Sequence, residues 1–177
     1  MPRALLALVI ASLIAAPGLI VAPGAALAQP AAPLVQRWDS GQLVDVLNTL
    51  RSKEVRVNSI DGRPAIVAVT RDGLNVGLYA KGCEASVGAS EPVCHAIEGV
   101  ITFDVSQRPD KASLPGDLDH DYAMGKFTLE TDGSLRASRY FLLDGGITQD
   151  NLRTELNDFF AVGALTRHTL WPQSSPQ

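Results

Sequence analysis

Residues 55–80 read VRVNSIDGRPAIVAVTRDGLNVGLYA, and their pattern indicates the architecture of the sheet. Asp61-Gly62 and Asp72-Gly73 divide it into three short apolar runs. Asp-Gly accepts the positive φ angles of tight hairpin turns, so the three runs are predicted to pair as an antiparallel meander. Apolar and polar residues alternate over 74–80, as in a strand with one buried face. Residues 65–69 are apolar throughout, which suits the central strand of the three.

The elements on either side of this meander predict an α+β fold. A helix is expected to begin near Ser40, where Asp39 or Ser40 can cap its first turn. After the meander, a strand is predicted at 100–105, a loop or crossover at 108–116, and a short helix at 118–124. Two further strands flank Asp132-Gly133, and a last helix follows Thr148 as its cap. We therefore predict an antiparallel sheet of about five to six strands with an N-terminal, a short middle and a C-terminal helix.

The chain carries two cysteines, Cys83 and Cys94. An even pair at this spacing in an exported protein is typical of a structural disulfide. A redox couple would more commonly be spaced Cys-x-x-Cys, and two cysteines with the neighbouring His95 do not complete a metal site. We predict a disulfide and no cofactor.

The first 28 residues have the pattern of a secretory signal peptide. Pro2-Arg3 precedes a long apolar run, and Ala26-Leu27-Ala28 before Gln29 fits a small-x-small cleavage site between Ala28 and Gln29. An uncleaved N-terminal anchor is the alternative, because the run approaches membrane-spanning length. The predicted organisation is a signal peptide (1–28), a linker (29–37), one domain (38–171) and a disordered tail (172–177). The expected location is periplasmic or secreted, without stable membrane insertion after cleavage.

The charge balance of the predicted mature chain is acidic. Removal of Arg3 with the leader leaves 14 basic against 19 acidic residues, a net charge of −5. A nucleic-acid partner usually requires a basic face, so this balance argues against one.

The order of these elements resembles the YbjN family, which is described as a family of bacterial sensory transduction regulators. The resemblance covers residues 38–171 and rests chiefly on the closing pattern: the strand at 126–130, the Asp132-Gly133 turn, Gly145-Gly146, and a helix with Phe159-Phe160. It implies a fold similar to type III secretion chaperones. It also implies a non-enzymatic binding or regulatory role, with a protein or peptide partner and self-association into a homodimer. The family often has an Asn-x-Trp-Asn-like segment where this chain has Leu118-Asp119-His120-Asp121-Tyr122, so the role of that segment does not carry over.

Asp119, His120 and Asp121 are the one stretch that suggests a reaction centre. Two carboxylates beside an imidazole could serve a small metal-assisted or acid-base enzyme. Neighbours in sequence point in different directions on a helix, however, and an exposed polar turn explains them as well.

A contact surface for a partner has three aromatic candidates. Tyr79 and Tyr140 are predicted on the outward faces of their strands, and Trp38 precedes the first helix cap. Packing in the core is an equally open interpretation of all three.

Overall fold

A computed structural model describes residues 34–84 and 92–172 of the chain. The predicted signal peptide, its cleavage site at Ala28 and Gln29, and all but the first residue of the predicted tail lie outside these ranges. Within them the protein is α+β, as the sequence predicts. None of the helices in the two ranges is both long and apolar enough to span a bilayer.

Eight strands and three helices make up the described residues. In chain order they are β1 (Leu34–Val35), α1 (Ser40–Thr49), β2 (Lys53–Ile60), β3 (Arg63–Val69), β4 (Asn75–Glu84), β5 (Val93–Asp104), α2 (Leu114–Asp121), β6 (Lys126–Leu129), β7 (Ser134–Leu142), β8 (Ile147–Thr148) and α3 (Gln149–Leu170).

Six of the strands form one antiparallel sheet in the order β2-β3-β4-β5-β7-β6. The first Asp-Gly hairpin has the backbone that the sequence predicts, with φ of 51° at Asp61 and 73° at Gly62. Positive φ at both central residues matches the right-handed twist of the strands they join. The long strand β5 pairs with β4 on one side and β7 on the other, so it is a central strand of the sheet.

Side-chain caps begin the two long helices where the sequence predicts. At the start of α1, the Asp39 side chain accepts a hydrogen bond from the backbone N–H of Gln42 at 3.0 Å. At the start of α3, the Thr148 side chain accepts one from the backbone N–H of Asn151 at 3.2 Å. The prediction for the middle helix is wrong in position. Helix α2 begins at Leu114 and includes Pro115 in its first turn. Proline is accommodated there because the backbone N–H that it lacks would have no partner within the helix.

Helices α1 and α3 share the hydrophobic core with one face of the sheet. Two glycines set how closely α3 approaches. A Cβ at Gly99 of β5 would lie 2.9 Å from Cε1 of Phe159, and a Cβ at Gly163 would lie 2.4 Å from Cδ1 of Ile101. Glycine at these positions lets the helix and the sheet come into direct contact.

Two features depart from the predictions. Leu34 and Val35, assigned to the linker, instead pair with Thr148 and Ile147 in a small second sheet, and Val35 is fully buried. The apolar Val35 side chain extends the core, so the linker interpretation is wrong for this segment. Strand β5 also begins earlier than the predicted 100–105. It starts at Val93, because the residues before 100 continue the ladder with β4 as far as Val93 and Glu84, just beyond the two cysteines.

Candidate binding face of the sheet

The six-stranded sheet has a second face, opposite α1 and α3, on which no helix of the described residues packs. We call it the open face. Directly opposed residues of an antiparallel ladder share a face. Tyr79 opposes Glu98, and Glu98 opposes Tyr140, so these three form one row across β4, β5 and β7 on the open face. The strand register thus brings two of the three predicted contact residues together.

Glu98 is the buried centre of the open face, with only 8% of its side chain exposed. Its Oε2 lies 2.9 Å from Nζ of Lys81, and its Oε1 accepts a hydrogen bond from Nη2 of Arg136 at 2.6 Å. A carboxylate at this depth requires such partners to offset the loss of water. Two cations on one carboxylate leave the cluster with one excess positive charge.

Long side chains cover the middle of the open face in place of a helix. A Cβ at Gly77 would lie 2.6 Å from Oη and Cε2 of Tyr79, so the tyrosine ring lies flat over Gly77. Val100, which opposes Gly77, is buried although it points to this side. Lysine, arginine and tyrosine can shield apolar surface with their stems while their polar ends stay in water. The absence of a side chain at Gly77 therefore allows the Tyr79 ring to pack directly on the backbone of β4.

Two concavities flank Tyr79 and Lys81. The larger, of about 460 Å³, is lined by Tyr79, Lys81, Val100, Thr102, Glu130, Thr131, Asp132, Ser134 and Arg136. The smaller, of about 230 Å³, lies toward the β2–β3 hairpin and includes Ile60, Arg63 and Pro64. Tyr79 and Lys81 line both, so they form a ridge with a depression on either side.

Apolar surface is exposed at one end of β7. Tyr140 is 57% exposed and Leu142 is 72% exposed, both on the open face. The pairing of β6 with β7 ends at Ser138. Among the described residues no strand therefore pairs with the outer edge of 139–142, which leaves backbone hydrogen-bonding groups beside the exposed side chains.

The rim of the larger concavity carries ionised carboxylates. The Ser134 amide and hydroxyl both donate to Asp132, and these hydrogen bonds hold the pKa of Asp132 below its ordinary value. Asp104 does not line the concavity, but hydrogen bonds from Ser106 lower its pKa in the same way. Both groups therefore carry negative charge at neutral pH.

Trp38, the third predicted contact residue, does not belong to this surface. It is half-buried and packs against the core, and its indole N–H donates to Oγ of Ser40 at 2.9 Å. Sequence reasoning also missed Lys81, Glu98 and Arg136. A single carboxylate between apolar residues of β5 was the one local signal, but its partners come from other strands.

Asp119 connects helix α2 to strand β6 at the edge of the sheet. Its Oδ1 accepts a hydrogen bond from the Phe127 amide at 2.8 Å, and its Oδ2 lies 3.9 Å from Nζ of Lys126. Asp119 thereby holds the first residues of β6 against α2. His120 and Asp121 are exposed and contact each other at 3.2 Å. In residues 34–84 and 92–172, no three metal-ligating side chains are grouped so that they could hold an ion.

Cys83 and Cys94 form the predicted disulfide. They are directly opposed on β4 and β5, with their Cα atoms 3.9 Å apart. The bond closes the ends of these two strands at one end of the open face.

Comparison with known proteins found no match to this chain among family models, curated proteins or solved structures.

Proposed function

We propose that this chain is an exported, non-enzymatic binding protein of the YbjN type, and that it binds a protein or peptide partner through the open face. The observation that carries the proposal is the row Tyr79–Glu98–Tyr140 on a face that no described helix covers. Tyrosine and arginine are enriched among residues that dominate binding energy, because they combine apolar area with hydrogen bonding. Arg136 stands beside this row.

The exposed end of β7 supports an extended partner. A partner strand that lies along 139–142 would satisfy the free backbone groups of that edge. Tyr140 and Leu142 would then contact alternate side chains of the partner. A second copy of the chain could supply such a strand, which is the form in which we propose the homodimer.

Export is supported by the disulfide. Disulfides form and persist in oxidising compartments, and Cys83–Cys94 is one. Together with the signal-peptide pattern of residues 1–28, this supports a periplasmic or secreted location. We propose no role in catalysis for Asp119, His120 and Asp121, because Asp119 is engaged with β6 and the other two are exposed to solvent.

A position-specific photo-crosslinking experiment tests the proposed face. A photoreactive phenylalanine derivative is placed at Tyr140 or Leu142 and, as a matched control, at Leu165, an exposed apolar residue of α3 on the other side of the sheet. We expect a discrete crosslinked species in living cells from the first two positions and none from Leu165. Mass spectrometry identifies it as a partner or as a second copy. Equal crosslinking from all three positions, or from Leu165 alone, would overturn the proposal.

A further inference from the structure

We propose that Lys81 and Arg136 together bind a carboxylate, so that the open face recognises acidic side chains of an extended partner polypeptide. This inference rests on the proposed function and names the chemistry of its partner. It starts from the cluster in which both cations share Glu98.

The cluster has unused hydrogen-bond donors. A lysine ammonium has three N–H donors and an arginine guanidinium has five. The contacts to Glu98 use one of the three N–H donors of Lys81 and one N–H donor of Nη2 of Arg136. Lys81 and Arg136 keep 31% and 32% of their side-chain surface exposed, and both line the larger concavity. The free donors can therefore reach a group that enters it.

Glu98 holds the two cations ready for an anion. It neutralises one of the two charges and restrains both long side chains, so that less conformational entropy is lost when a carboxylate binds. The surroundings strengthen the attraction, since Val100 and the ring of Tyr79 line the same concavity and lower the local dielectric. Glu98 is a positioning residue in this scheme, and Lys81 and Arg136 make the contact.

The charges on the rim make the site directional. Glu130 and Asp132 line the same concavity and would repel a second carboxylate placed near them. The whole chain is also acidic, with a formal net charge of −4. The overall charge therefore gives no general attraction for polyanions, and a polyanion binds only where Lys81 and Arg136 present their donors to one of its carboxylates.

Fluorescence anisotropy with labelled poly-L-glutamate as the probe tests this inference, and poly-L-lysine is the matched polycation. Lys81→Met keeps the apolar stem and leaves Glu98 paired with Arg136, so the fold is retained. We expect it to weaken binding roughly two- to fivefold, which corresponds to the loss of one partly exposed ion pair. Arg136→Met is a second variant with the same expectation.

Glu98→Gln gives the opposite expectation, because the glutamine side-chain oxygen still accepts hydrogen bonds from the two cations while the negative charge is lost. It raises the local charge from one to two positive units, so binding of poly-L-glutamate should tighten several-fold. A general loss of folding would weaken binding in every variant and cannot produce opposite directions. The charge-matched controls are Arg153→Met and Asp150→Asn, which make the same changes in net charge at an exposed ion pair of α3.

The outcomes separate the inference from the function on which it rests. Opposite shifts for Lys81→Met and Glu98→Gln, with no shift in the controls, support carboxylate recognition. Equal shifts in the controls, no binding of poly-L-glutamate, or binding of phosphatidylglycerol vesicles in its place would overturn it. If the yield of crosslinking from Tyr140 is undiminished in Lys81→Met and Arg136→Met cells, the binding face stands and its acidic specificity falls.

Discussion

Gly163→Ala is expected to destabilise the protein, although alanine is the better helix former. Gly163 lies within α3 and faces the sheet. A Cβ there would lie 2.4 Å from Cδ1 of Ile101 and 3.1 Å from Cδ1 of Leu74. Carbon atoms in contact are normally about 3.5–4.0 Å apart, so the new methyl group would overlap Ile101 by about 1 Å.

The magnitude follows from two opposing contributions. Overpacking of a filled core costs about 1–3 kcal/mol, and the Ile101 side chain that would have to shift is buried. Replacing glycine by alanine within a helix stabilises the helix by about 1 kcal/mol through its higher helix propensity. An overlap of about 1 Å corresponds to the upper part of the overpacking range, about 2–3 kcal/mol, so the net loss in the free energy of unfolding should be about 1–2 kcal/mol. The melting temperature should then fall by about 3–6 °C for a domain of this size.

Urea unfolding followed by circular dichroism measures this loss, and a double-mutant cycle identifies its cause. Ile101→Val removes the clashing Cδ1 at a cost of about 1 kcal/mol. In that background Gly163→Ala should be neutral or stabilising, which gives a coupling energy of about 1 kcal/mol or more. Asn157→Ala, on the exposed side of α3, controls for helix propensity and should stabilise by about 0.5 kcal/mol. Stabilisation by Gly163→Ala alone, or an equal loss with and without Cδ1, would refute the reasoning.

Three further predictions concern the sheet edge, the disulfide and the rim of the larger concavity. Asp119→Ala leaves the Phe127 backbone amide without its acceptor, so it should lower the free energy of unfolding by about 1–2 kcal/mol and speed hydrogen exchange of that amide. His120→Ala should change neither quantity, and equal effects of the two variants would contradict this. If His120→Ala abolished the protein's function in cells at full stability, the enzyme alternative would again be supported. Replacing both disulfide cysteines by alanine should cost about 3 kcal/mol in urea unfolding, as expected for closure of so short a loop, and an unchanged midpoint would count against the staple. The pKa of Asp132 is lower in the folded state than in the unfolded chain, so its contribution to stability is present above the unfolded pKa and is lost as pH falls through the folded one. Ser134→Ala keeps the amide donor and removes the hydroxyl, so it should raise this pKa only part of the way to its ordinary value in a carboxyl-carbon NMR titration; no rise would show that the hydroxyl has no effect.

Much of the fold was predictable because its signals are local. The Asp61-Gly62 turn needs positive φ at two adjacent residues, and Asp-Gly meets that need whatever surrounds it. The caps at Asp39 and Thr148 likewise depend on residues three positions away. The exact start of α2 was not predicted, because Pro115 and Gly116 are compatible with either a turn or a first helical turn.

The candidate site was only partly predictable. Tyr79 and Tyr140 could be assigned to outward faces from alternation within their own strands. Their common row depends on the register of β4, β5 and β7, which no local pattern reports. The interpretation of Trp38 stayed open between a contact surface and the core, because a residue outside a regular strand has no alternation from which to infer its direction.

The class of the fold, the order of the six main strands and the helices, the hairpin turns, the caps of α1 and α3 and the cysteine pair followed from the amino-acid sequence. Each of these depends on residues close together in the chain or on their periodicity. Only the tertiary structure decided the burial of Val35, the glycine contacts under α3, and the meeting of Lys81, Glu98 and Arg136. The ion cluster joins three strands, and Arg136 is 38 residues away from Glu98 in the chain. Such a contact exists only after the ladders have aligned, because the sum of many weak pairings across the whole sheet selects the register.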